Sequence, residues 1–135
     1  MPWDLKYLPQ DETVLVTHTG PLSAADARDH SDAVIAQLKA TTANRVLIDH
    51  SRASGSIPAA DIASLPDYYR DLNAPTDRRF ALVMPRSEEA RHTAVYHKVL
   101  CDEKGYAISL FQSRALAQLW LSETAPSQPS PPPAP

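Results

Sequence analysis

Cysteine and glycine are scarce in this 135-residue chain, with one cysteine, Cys101, and three glycines. A single cysteine excludes a disulfide framework and any multi-cysteine zinc or iron–sulfur site. No apolar run approaches the roughly 18 residues that a spanning helix needs. The opening Met-Pro-Trp-Asp-Leu-Lys lacks the basic-then-apolar pattern of a secretory leader. The expectation is therefore a cytoplasmic protein, with contact at a membrane surface limited to peripheral association. A basic surplus is also missing: 16 acidic against 13 basic residues leave a net charge of −3. Nucleic acid, which is held by clustered Lys and Arg, is not an expected partner.

Proline is abundant instead, with 13 residues. Six of them (Pro126, Pro129, Pro131, Pro132, Pro133 and Pro135) fall in the last ten positions. Residues 1–123 are expected to form one folded domain, and 124–135 a disordered Pro/Ser-rich tail.

Within the domain, Trp3 to Tyr7 and Thr13 to Thr19 alternate apolar and polar residues, the pattern of two half-buried strands joined as a hairpin. Gly20-Pro21 is expected to end the second strand. Ser23 offers an N-cap, and Ala27, Val34, Ile35 and Leu38 recur at helical spacing as far as Thr41. Val46-Leu-Ile-Asp49 and Phe80-Ala-Leu-Val-Met84 are apolar on both faces, as buried parallel strands are. A polar loop is expected from His50 to Ser56. The segment after Pro58 is helical, with a kink or break at Pro66, which lacks an N–H. Ser87 caps a third helix that closes at Lys104-Gly105. Tyr106 to Phe111 reads as a last strand, and Ser113 caps a final helix carrying Ala115, Leu116, Leu119 and Trp120. The order β-β-α-β-α-β-α-β-α predicts a single-domain α/β fold. It has a mixed, mainly parallel five-stranded sheet, an N-terminal β-hairpin and about four helices covering both faces.

This order resembles the STAS/SpoIIAA-like superfamily, which includes anti-sigma factor antagonists. The resemblance spans Trp3 to about Ser122. It rests on the segments Arg45-Val-Leu-Ile-Asp-His-Ser51, Leu65-Pro-Asp-Tyr-Tyr69 and Gly105-Tyr-Ala-Ile-Ser-Leu-Phe111. In the regulatory branch a serine is phosphorylated at the start of the helix after the third strand. Here the matching stretch is Ile57-Pro-Ala-Ala-Asp61, and alanine stands at the phosphoserine's place. No phosphorylation site is thus expected there; Ser51, Ser54 and Ser56 are the nearby hydroxyls that would have to take over. The chain is more similar to a SpoIIAA-like branch related in shape to CRAL-TRIO lipid carriers, in which a mobile helix covers apolar molecules.

Neither a catalytic residue, nor a metal ligand set, nor a cofactor motif is expected. Asp49-His50-Ser51 holds three triad residue types, but consecutive strand residues point to opposite faces. His97 and Cys101, four apart on a helix, lie on one stripe with Ala90 and Ala94 and read as core rather than as ligands. Asp49-His50-Ser51-Arg52, Pro85-Arg86-Ser87 and Gln112-Ser113-Arg114 are expected on one edge of the sheet, where open α/β folds bind ligands. Their arginines suit a phosphate or carboxylate, and helix capping with solvated arginines is the competing reading.

The expected function is non-enzymatic binding of an apolar or amphipathic, lipid-like small molecule. Ile57, Ile62, Leu65, Tyr68, Tyr69 and Leu72 would form the apolar wall, and Arg52 and Arg86 would hold a polar head. The alternative is a protein–protein regulatory module of the anti-sigma factor antagonist type, with a homodimer through Tyr68 as one form of partner. A small hydrolase or metal enzyme using His50 or His97 completes the set.

Overall fold

Alternation along the first two strands places Leu5 and Tyr7 against Val14 and Val16, on a cluster with Val34, Leu38 and Val46. The structure, a computed structural model, describes residues 2–123. The tail expected at 124–135 lies outside the described residues. Strand β1 (Trp3–Leu8) turns through a 3-10 segment (Pro9–Asp11) into β2 (Thr13–Pro21). Helix α1 (Ala24–Ala40), β3 (Arg45–Ser54), α2 (Ala59–Asp71), β4 (Arg79–Val83), α3 (Glu88–Glu103), β5 (Ile108–Phe111) and α4 (Arg114–Ser122) follow.

The strands lie in sequence order β1-β2-β3-β4-β5, with β1 antiparallel to β2 and all other pairs parallel. Right-handed crossovers between successive neighbours put α1, α2 and α3 on the same face. There Val34 and Leu38 of α1 meet Val14, Val16 and Val46, while Ala94 and Cys101 of α3 meet Leu82, Met84 and Ile108. Helix α4 alone covers the other face, with Ala117 and Leu121 against Leu15, Leu47, Ala81 and Val83. Arg79 secures it: the guanidinium lies 4.0 Å from the Trp120 ring centre and donates to the carbonyls of Trp120 and Glu123, each at 2.9 Å.

Serine hydroxyls start three of the helices. Ser23, Ser87 and Ser113 accept from the amides of Asp26, Ala90 and Leu116 at 3.1, 3.2 and 3.2 Å. Each satisfies an amide that the first helical turn leaves without a partner. Helix α2 differs, since Pro58 occupies its N-cap position and no side chain bonds its first amides.

Two segments depart from expectation. His50 to Ser54 is strand rather than loop, because β2 itself continues through Gly20 and Pro21. Thr19, Gly20 and Pro21 pair with Arg52, Ala53 and Ser54 beyond a bulge. Between the pairs Thr17–Asp49 and Thr19–Arg52, β3 carries one extra residue, at His50–Ser51. Helix α2 runs unbroken across Pro66. Its proline leaves one carbonyl, that of Ile62, without its helical donor, yet burial of Ile62, Leu65 and Pro66 holds the helix in place.

Candidate functional site

Strand parity brings a histidine cluster under α2. Val14, Val16 and His18 share the helix-covered face of β2, and Val46, Ile48 and His50 that of β3. A cavity of about 100 Å³ lies between these strands and the helices. Ile57, Ile62, Leu65 and Tyr69 close it from the α2 side, and Ala27, His30, Ser31 and Val34 from α1. His97 of α3 and Leu82 and Ile108 of the sheet complete it. The cavity wall is mostly apolar, and its polar groups include four histidines, Tyr69, Ser23 and Ser31.

Three of the imidazoles pack edge to face. His18 lies 5.8 Å from His50 and 6.4 Å from His30, and His30 lies 6.3 Å from His50, centre to centre. Trp3 sits 6.1 Å from His30 on the outer side. His18 Nε2 is 3.0 Å from the Pro21 carbonyl. A carbonyl only accepts, so Nε2 carries the proton and Nδ1 is left as an acceptor. That Nδ1, His50 Nε2 and Trp3 Nε1 are buried without a protein partner. Burial of the charged form holds His30 down at about 4 and His50 at about 3, with the neighbouring imidazoles adding to the effect.

On the far wall, Tyr69 Oη lies 2.8 Å and Cys101 Sγ 3.3 Å from His97 Nε2. Burial raises the Tyr69 hydroxyl and pushes the Cys101 thiol up to about 12, while it holds His97 at about 4. Both the hydroxyl and the thiol keep their protons, and His97 Nε2 is within hydrogen-bond reach of each. A thiol near 12 beside an imidazole near 4 gives no thiolate, so the pair is a structural hydrogen bond rather than a nucleophile and base. Asp49 Oδ1 accepts from the Ser51 amide at 2.9 Å, on the opposite side of β3 from His50. The three triad residue types therefore do not meet. Among the described residues no three His, Cys, Asp or Glu side chains are placed to share a metal ion. Among the same residues no helix is long and apolar enough to cross a membrane.

Of the eight ligand residues expected from sequence, Ile57, Ile62, Leu65 and Tyr69 line the cavity. Tyr68 turns outward and donates to Asp32 Oδ1 at 2.6 Å, a bond that raises its hydroxyl. Leu72 ends α2, and its carbonyl accepts from Lys39 Nζ at 2.6 Å. Arg52 is exposed on β3 beyond the bulge, and Arg86 belongs to a separate polar cleft beyond β4. A polar head held by these two arginines over the cavity does not assemble. The strand extension displaces Arg52, and strand β4 carries Arg86 to the sheet edge. Sequence reasoning missed His18 and His30. Their signal was parity with Val14 and Val16, and a helical position four before Val34.

At the start of α2, Pro58, Ala59, Ala60 and Ala63 are exposed. These four side chains are small and uncharged, and Asp61 is the one charge of the first turn; no side chain caps that turn, although the Asp61 amide donates to the Pro58 carbonyl at 2.9 Å. Ser56 is exposed beside it, whereas Ser51 and Ser54 are half-buried in the strand extension.

No protein-family model and no curated protein sequence matches the chain. Among solved structures, it is similar to an anti-sigma factor antagonist from Mycobacterium paratuberculosis. That likeness has 15% identity and a TM-score of 0.61, covering 90% of this chain and 95% of the other. The chain is also similar to the anti-sigma factor antagonist SpoIIAA in its unphosphorylated form, at 14% identity and a TM-score of 0.48 over 87% and 94% of the two chains. The first likeness shows that the chain has the STAS/SpoIIAA fold.

Proposed function

We propose that this chain is a non-catalytic regulatory module that acts by binding another protein through the surface at the start of α2. The observation that carries this reading is the exposed start of α2, which no side chain caps and whose only first-turn charge is Asp61, with Ala60 where the resemblance implies a phosphorylated serine. Exposed amides at a helix start offer donors to a partner's carbonyl or carboxylate. Ala60 has no hydroxyl, so phosphorylation at that position does not switch the surface, and Ser56 is the exposed hydroxyl beside it. The likeness in fold to an anti-sigma factor antagonist supports the same reading. A photoreactive side chain at Ala63 in the cells that encode the protein is expected to trap one discrete partner. Ala60→Glu should weaken that adduct at least tenfold, with unchanged circular dichroism. Equal trapping from Ala36, on the exposed face of α1, would contradict it.

A second reading is favoured by the cavity beneath α2. Ligand pockets usually measure about 300–1,000 Å³. A cavity of about 100 Å³ is too small for a lipid chain unless α2 lifts. The reading is therefore a compact, mostly apolar molecule with one group for His18 Nδ1 or His50 Nε2. Saturable binding of 2-propanol, weakened by Tyr69→Asp, supports it. Saturable binding of a fluorescent fatty acid would instead require α2 to open.

A further inference from the structure

The cleft that holds Arg86 brings together features that the cavity does not explain. It measures about 260 Å³ and lies at the carboxyl ends of β3, β4 and β5. Arg86, Arg91 and Arg114 line it with Ser51, Gln112 and Ser113. Arg52, the partner expected from sequence, is replaced by Arg91 from the second turn of α3.

The electrostatics are unbalanced. Arg86 immediately precedes the Ser87 cap of α3, and Arg114 is the first residue of α4. Helix starts carry partial positive charge and favour anions, so cations at both starts are repelled by the fold itself. Glu88 and Glu89 in its first turn offset this for α3, but the first turn of α4 carries no acidic residue. Asp49 is the nearest carboxylate to Arg114, at 3.9 Å, too far for a direct hydrogen bond. Arg91 reaches only the Pro85 carbonyl, at 3.4 Å. Arg114 Nε is buried with no acceptor. A donor of this kind, next to two like charges and two helix starts, lacks an anion.

We propose that this cleft binds a phosphate monoester. Three guanidinium forks offer more donors than a carboxylate's two oxygens can use, whereas a phosphate dianion presents three terminal oxygens. The cleft has room for a group beyond the phosphate itself, since a water occupies only about 30 Å³ of liquid. This assignment is independent of the α2 surface and of the cavity on the other side of the sheet edge.

Titration of the full chain with inorganic phosphate, phenyl phosphate and acetate, followed by amide and arginine side-chain NMR, tests it. Saturable shifts at Arg114 Nε and at the amides of Ala115 and Leu116 are expected. Phenyl phosphate should bind at least as tightly as phosphate, and about tenfold or more tighter than acetate. Arg86→Gln combined with Arg114→Gln should weaken phenyl phosphate binding at least tenfold. Both side chains are partly or fully exposed, so the melting temperature should hold. If that variant does not fold, Arg86→Gln alone should still weaken binding severalfold. Non-saturating shifts, equal binding of acetate, or affinity unchanged by the substitutions would overturn the assignment.

Discussion

The Tyr69 hydroxyl is hydrogen-bonded to His97 Nε2 at 2.8 Å, joining α2 to α3 across the cavity wall. The two rings stand nearly perpendicular, 5.9 Å apart, so one contact supplies both a polar link and an aromatic edge-to-face pair. Helix α2 lacks one backbone hydrogen bond at Pro66 and has no side-chain cap at its start, and this contact ties its second half to α3.

Tyr69→Phe keeps the ring and removes the hydroxyl, leaving His97 Nε2 with only the Cys101 thiol. The expected loss is about 1–2 kcal/mol, the cost of an incompletely satisfied buried polar atom. Urea unfolding followed by circular dichroism measures it. A loss below a few tenths of a kcal/mol would show that water already serves that nitrogen.

Acid should destabilise the domain through its histidines. His30, His50 and His97 sit at about 4, 3 and 4 in the folded chain, against an ordinary 6.5, because burial disfavours their charged forms. Below 6.5 the unfolded chain takes up protons that the folded chain refuses. Stability is therefore full above about pH 6.5 and falls as pH drops towards 4. Each ring contributes up to about 1.4 kcal/mol per pH unit in that window. Urea midpoints between pH 8 and 4.5 should be flat at first and then fall steeply; a midpoint constant down to pH 4.5 would contradict the buried, neutral cluster.

Cys101 should be chemically silent in the folded chain. Its side chain is buried and its thiol is pushed up to about 12, first by burial and then by Asp102. Thiol-specific reagents at pH 8 should label it only after urea unfolding, at a rate tracking global opening. Rapid labelling of native protein would mean that α3 opens locally.

Filling the cavity should stabilise the domain and abolish small-molecule binding together. Ala27 is buried on α1 and lines the cavity, so Ala27→Val adds two methyl groups where there is space. A gain of about 0.5–1 kcal/mol is expected, read from the thermal midpoint. A loss of more than 1 kcal/mol would indicate that the space is already occupied.

Much of this architecture is legible in the residues. The serines at 23, 87 and 113 mark helix starts because a short hydroxyl side chain satisfies a specific amide. Likewise, Val46–Ile48 and Phe80–Met84 mark buried strands because both faces are apolar. The end of β3 was hidden because His50 to Ser54 is polar and its order comes from backbone pairing with an equally unpromising Thr19-Gly-Pro21. The histidine cluster was hidden for a related reason. His18, His30, His50 and His97 lie on four different elements, and only the bulge and the shared helix face bring them to one cavity. Local rules also overstated Pro66, whose cost is absorbed by the burial of its neighbours.

The proposed protein-binding surface is the first turn of α2. The direct measurement is the affinity of the trapped partner for the native chain and for Ala60→Glu, determined by calorimetry under identical conditions. At least a tenfold loss of affinity at an unchanged melting temperature is expected for Ala60→Glu. Equal affinities for the two chains would contradict it.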